Sequence, residues 1–128
     1  MVGKRISERV IGCAMEVSNT LGVGFLEAVY EKALCVELAR QGVAFERQEP
    51  LPVLYKGEPV GNYVADLVVA GKLLVELKAT ARLLPEHEAQ VLNYLRAGNL
   101  TVGLLLNFGT PRMGVRRLVW RHADSSRV

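Results

Sequence analysis

Three side chains set close together along the chain are of types that suit acid, metal and phosphate chemistry: Asp66, Glu76 and Lys78. Asp66 interrupts Tyr63-Val64-Ala65-Asp66-Leu67-Val68-Val69, which is apolar on both alternating faces. Such a strand is covered on both sides, so its one carboxylate needs a partner. In Leu73-Leu74-Val75-Glu76-Leu77-Lys78-Ala79, the residues at 73, 75 and 77 take one face, while Glu76 and Lys78 emerge side by side on the other. A three-residue link over Ala70–Lys72 would pair Val69 with Leu73, and counting outward sets Asp66 opposite Glu76 on one face. A two-residue link would separate their faces. Like charges opposed across strands repel, and burial worsens the repulsion, so the first arrangement makes physical sense with a cation between them. Two carboxylates with a backbone carbonyl and waters select a hard ion, magnesium or manganese, whereas zinc would call for histidine or cysteine ligands. Such an ion polarises a phosphodiester, and Lys78 beside it would position water or offset charge on the phosphate. The spacing alone is equally compatible with a plainer reading, in which Glu76 and Lys78 decorate an exposed edge strand and Asp66 accepts backbone amides.

The elements that must position these residues follow from periodicity. Ile6, Val10, Cys13, Ala14, Val17 and Leu21 recur at helical spacing, and Gly22 is placed to end that helix in a left-handed conformation. A second helix spans Phe25 to Gln41, with Leu26, Val29, Ala33, Val36 and Leu38 or Ala39 as its apolar face and Gly42 as its stop. Val43 to Tyr55, broken by Pro50 and Pro52, reads as one or two irregular edge strands. Val60–Val69 and Lys72–Ala79 form a hairpin. Pro85 opens a helix to Arg96 or Ala97, with Gly98 as stop and Ala89, Leu92 and Leu95 or Val91 facing inward. Thr101–Phe108 and Val115–Trp120 are the last strands. The order predicts an α/β sandwich around a mixed sheet.

A chain of 128 residues, half of them hydrophobic and 23% charged, fits one globular domain, with a core over about 6–120 and a flexible tail from 121 to 128. Neither a signal segment nor an apolar run of bilayer length is evident, which points to a soluble, cytoplasmic protein. Cys13 and Cys35 read as buried free thiols, since neither has a pairing or ligand pattern. The net charge of +3 is mild, but Arg112, Arg116, Arg117, Arg121 and Arg127 gather near the end, where they could grip a nucleic-acid backbone without reading bases. Gly22-Val23-Gly24 follows a helix and not a strand, so it is a turn and not a dinucleotide loop.

Asp66 followed by Glu76-Leu77-Lys78 on the next strand resembles the signature of the PD-(D/E)XK nucleases. The wider chain resembles the GxxExxY proteins, a branch of that superfamily, through Gly24-Phe25-Leu26-Glu27-Ala28-Val29-Tyr30. Further landmarks match in order: His87-Glu88-Ala89-Gln90 through Asn93-Tyr94-Leu95, and Gly103 to Gly109 with Asn107-Phe108. The resemblance covers about Val10 to Trp120. It departs from the name at Val64-Ala65, where the proline preceding the first acid is missing.

The resemblance implies a restriction-endonuclease-like fold and a magnesium- or manganese-dependent nuclease acting on nucleic acid, DNA by preference. It implies Asp66, Glu76 and the Leu77 backbone carbonyl as metal ligands, and Lys78, Glu27 and Gln90 as catalytic helpers. Glu27 resembles the first-helix acid, while Gln90 and Tyr94 resemble the QxxxY feature of RecB-type nucleases and share a helix face. Tyr30 and Tyr94 would support the site, Arg112, Arg116 and Arg117 would hold the polyanion, and a homodimer would help so small an enzyme grip a duplex. A non-catalytic nucleic-acid-binding module of the same fold and a structural or assembly protein are the alternatives.

Overall fold

The run Leu73–Lys78 decides the architecture, because a strand apolar on both faces must be covered on both. In the computed structural model, which describes residues 5–121 and 128, this strand is the middle of five. The elements are α1 (Ile6–Leu21), α2 (Glu27–Arg40), β1 (Phe45–Tyr55), β2 (Glu58–Val69), β3 (Leu73–Lys78), α3 (Pro85–Gly98), β4 (Val102–Asn107) and β5 (Gly114–Val119). Strand order follows chain order, β1-β2-β3-β4-β5. β3 and β4 are parallel, joined by α3, and the other neighbours are antiparallel. The α/β sandwich around a mixed sheet is thus as expected, and β3 is central and buried, which removes the edge-strand reading of Glu76 and Lys78.

Two cores lie on the two faces. Val10, Val17, Tyr30, Leu34 and Leu38 of α1 and α2 meet Leu73, Val75 and Leu77, while Val91 and Leu95 of α3 meet Leu74 and Leu105. On α2 the buried stripe is Tyr30, Leu34 and Leu38; of the expected face, Leu38 is buried and Ala33 packs partly against the core, but Leu26, Val29 and Val36 are exposed. The helix offers two competing stripes, and the one with the larger side chains is buried, since burial free energy grows with apolar area. On α3, Ala89 is exposed, and Val91 and Leu95 carry the contact.

The turns show how closely the backbone is packed. Gly22 has the expected positive φ of 70° but an extended ψ of −171°, a conformation open to glycine alone. Gly98 is not a left-handed stop: it is the last helical residue, a Cβ there would lie 2.9 Å from Leu51, and Asn99 takes the left-handed position. β1 is a single strand with a register shift at Val53/Leu54. Cys13 is a buried free thiol, but Cys35 is only partly covered. Val128, assigned to a flexible tail, is buried, and its carbonyl accepts the Ser7 N–H at 2.8 Å. The rest of that tail beyond Arg121 lies outside the described residues.

The loop after Lys78 is tied to β4 by Asn107. Its Oδ1 accepts the N–H groups of Thr80 and Gly109, and its Nδ2 donates to the Thr80 carbonyl, each at 3.0 Å. A Cβ on Gly109 would collide with Thr80 backbone. Gly109→Ala therefore forces the two loops apart, and urea unfolding should show a loss of ~2 kcal/mol or more, the upper range for overpacking. A loss below ~0.5 kcal/mol, typical of surface changes, would contradict this packing.

Candidate active site

The β2–β3 link places the site. Ala70 and Gly71 both take positive φ (53° and 66°), and Val69 pairs with Leu73, Val68 with Leu74 and Leu67 with Val75. This is the three-residue link that sets Asp66 opposite Glu76. The ladder stops one step short of them, and their side chains take over the backbone pairing. Glu76 Oε2 accepts the Asp66 N–H at 2.6 Å, and Asp66 Oδ2 accepts the Leu77 N–H at 2.9 Å.

β2 also changes sides here. Leu67 and Val69 face α1 and α2, yet Ala65, which strict alternation would place with them, joins Val68 under α3. On the other flank, Arg47 pairs with Leu67 and Glu49 with Ala65, and Gln48 between them is left out of the pairing with φ at 54°. Such a backbone costs a non-glycine residue about 1–2 kcal/mol. Asp66 consequently stands between the layers, facing acids of α2 and the Tyr94 phenol of α3.

The electrostatics are those of a crowded anionic centre. Glu76 is 4% exposed, and burial followed by the nearby Asp66 charge raises its pKa to about 8. Asp66 is raised to about 6, first by burial, opposed by the Leu77 N–H, then by Glu31 and Glu27. Among the described residues, neither Asp66 nor Glu76 forms an ion pair within 4 Å. Lys78 is close enough to lower the Glu76 pKa, but its Nζ donates to Gln90 Oε1 at 3.3 Å. Gln90 Nε2 donates in turn to the Tyr94 hydroxyl at 3.3 Å, and Tyr94 stacks on Tyr63 with ring centres 5.0 Å apart. Burial and the two carboxylates raise the Tyr94 pKa, so its phenol stays protonated.

Of the residues singled out from sequence, Asp66, Glu76, Lys78, Gln90 and Tyr94 come together. Glu27, exposed at the start of α2, reaches the pair through its charge, and no group of three or more His, Cys, Asp or Glu side chains forms a ready metal cage among the described residues. Tyr30 is fully buried and stacked on Phe108, and its hydroxyl donates to the Gly22 carbonyl at 2.6 Å, so it fastens the loop before α2. His87 caps α3, its Nδ1 accepting the Leu84 N–H at 3.0 Å. The arginines do not form one patch. Arg112 lies in the β4–β5 loop, and Arg116 and Arg117 are opposite Leu105 and Leu104, hence on opposite faces of the sheet's edge.

Sequence reasoning missed Glu31. It is 5% exposed, Arg47 Nε donates to its Oε2 at 2.6 Å, and Gln48 Nε2 donates to its two oxygens at 2.9 and 3.1 Å. The available signal was its position one turn after Glu27, which puts two acids on one helix face.

The donor set suits a hard divalent ion. The buried Glu76 and the half-buried Asp66 each spend one oxygen on a backbone amide, are both pushed toward protonation and have no ion pair within 4 Å among the described residues, so an ion taking their remaining oxygens with a carbonyl and waters would relieve the repulsion.

A mixed five-stranded sheet between helical layers, with two acids and a lysine on its central hairpin, is an α/β fold of the restriction-endonuclease-like class. Residues 4–118 match the sequence model of the PD-(D/E)XK nuclease superfamily, and the chain belongs to that superfamily. Among solved structures, the crystal structure of SSO0001 shares the fold, with a TM-score of 0.59 at 17% identity, over 94% of this chain and 60% of that one. The chain thus spans about 60% of the length of that protein. No curated protein matches it.

The raised acids fix a pH dependence. Carboxyls that bind protons more tightly folded than unfolded stabilise the metal-free protein at low pH, and that stability is lost as pH rises through their folded values, from about 6 for Asp66 to about 8 for Glu76. In EDTA, the wild-type melting temperature should fall between pH 5 and pH 8, whereas Glu76→Gln should fall less and melt higher than wild type at pH 8. Parallel curves for the two proteins would contradict the buried-acid assignment.

Proposed function

We propose that this chain is a magnesium- or manganese-dependent nuclease that hydrolyses phosphodiester bonds of nucleic acid, DNA by preference. The observation that carries the reading is the convergence of the half-buried Asp66 and buried Glu76 carboxylates beside Lys78, on the hairpin where the superfamily signature falls. We read the whole chain as one catalytic unit of the GxxExxY branch, on the Gly24–Tyr30 motif. Its free thiols suit a reducing, cytoplasmic setting. Among the described residues no helix is long and apolar enough to cross a membrane.

Asp66, Glu76 and the Leu77 carbonyl would hold the ion, which supplies Lewis acidity to the scissile phosphate. Lys78 places its ammonium beside that phosphate, where it orients the attacking water and offsets charge gained in the transition state. Gln90 holds Lys78 in place and is itself held by Tyr94. Glu27, whose charge bears on both acids, would act through an intervening water. A homodimer would supply a second such centre for the opposite strand of a duplex.

With manganese or magnesium, the protein should cut labelled DNA, and Asp66→Asn and Lys78→Ala should each slow cutting by ~100-fold or more, the scale of a lost acid–base or electrostatic group. Equal cutting by all three would assign the activity to a contaminant. Metal-independent, salt-sensitive DNA binding without any cutting would favour the binding module.

A further inference from the structure

A trough between α3 and the exposed parts of β1 and β2 leads away from Gln90 and Tyr94. Its near end is a cleft of about 370 Å³ bordered by Tyr63, Glu86, Gln90, Asn93 and Tyr94. Tyr63 and Asn93 also border a second cleft, of about 460 Å³, that reaches Arg96, Trp120 and Arg121. The two clefts therefore adjoin at Tyr63 and Asn93, and the path they make starts from Gln90 and Tyr94, the outer members of the Lys78–Gln90–Tyr94 chain of hydrogen bonds.

Its chemistry changes along its length. The one carboxylate on its borders, Glu86, is at the near end, while Arg96 and Arg121 are at the far end. The Arg121 guanidinium lies 4.3 Å from the centre of the Trp120 ring, a contact that holds it in place. Between the ends, Tyr63 is 41% exposed, and its ring is steadied by stacking on Tyr94. From Gln90 to Arg96 the helix rises roughly 9 Å, the reach of two to three stacked nucleotides at ~3.4 Å each.

An accessible aromatic followed by spaced cations, with no base-reading array, is the combination that holds an unpaired strand: the ring stacks on a base face, which a duplex hides, and the arginines take phosphates. We propose that this trough binds a single-stranded DNA segment flanking the scissile phosphate, with Tyr63 stacking a base and Arg96 and Arg121 holding the backbone. The inference rests on the nuclease reading for its link to cleavage, and it adds the substrate class, an unpaired strand or frayed end. Of the arginines invoked from sequence, Arg121 borders this path, whereas Arg112, Arg116 and Arg117 do not.

The test is fluorescence anisotropy of a short labelled single-stranded oligodeoxynucleotide in EDTA over a range of salt, with cleavage of the same oligonucleotide in manganese assayed in parallel. Arg96→Gln combined with Arg121→Gln should weaken binding and lower the slope of log affinity against log salt by about 1.4, at ~0.7 for each lost phosphate contact. Tyr63→Leu should weaken binding by ~5- to 100-fold, the value of one stacked base, and leave the salt slope as in wild type. All three residues are at least partly exposed, and melting temperatures verify that the variants fold. Unchanged affinity in both variants, or tighter binding of a blunt duplex than of the single strand, overturns the proposal. If wild type cuts while the variants bind normally, the trough assignment fails and the nuclease reading stands. If the variants lose binding but wild type cuts nothing, the nuclease reading fails and the trough assignment stands.

Discussion

The structure depends on the repulsion between two carboxylates that the β2–β3 register forces together, Glu76 buried and Asp66 half-buried. Asp66 and Glu76 cannot both be ionised there without compensation, and each reduces the cost by accepting a backbone N–H from the opposite strand. That exchange ends the regular ladder at the pair and opens the hairpin where the sheet is most deeply covered. The neighbouring elements are arranged about this opening. α2 presents Glu27 and Glu31 from one layer, α3 presents Gln90 and Tyr94 from the other, and β1 yields its own regularity at Gln48.

The division of labour between the layers follows. On the α2 side, Arg47 and Gln48 fix Glu31 and so define the negative wall behind Asp66. On the α3 side, Lys78, Gln90 and Tyr94 form a chain of polar contacts from the sheet to the protein surface. Gln48 joins the two features that regular strand pairing would forbid, a left-handed backbone in β1 and a side chain turned onto the acid of α2. Strain of this kind persists only when the surroundings over-determine it, and here the buried Glu31 carboxylate does so.

Much of the hairpin was legible because strand periodicity and link length are local properties. Two link lengths were open from the sequence, and the structure takes the three-residue one over Ala70–Lys72, from which the Val69–Leu73 pairing and the opposition of Asp66 and Glu76 follow by counting. Residues decided by distant neighbours were not legible. The α2 stripe required knowing that Tyr30 would find Phe108, nearly eighty residues along the chain by simple counting. Glu31 required Arg47 and Gln48 to arrive from β1, and Ala89 turned outward because Val91 and Leu95 matched the cavity over Leu74 and Gly103 better. The arginines misled for the opposite reason: adjacency in sequence suggested one patch, whereas adjacent residues of a strand project to opposite faces.

The central claim is that the acids converge because a divalent cation belongs between them, and the most direct measurement is anomalous diffraction from crystals soaked in manganese. The account predicts one strong peak bonded to Asp66, Glu76 and the Leu77 carbonyl at about 2.1–2.2 Å, the range of small hard divalent ions, and no such peak in Glu76→Gln crystals. A manganese peak elsewhere with these carboxylates still locked on their backbone amides, or an undiminished peak in the variant, would contradict it.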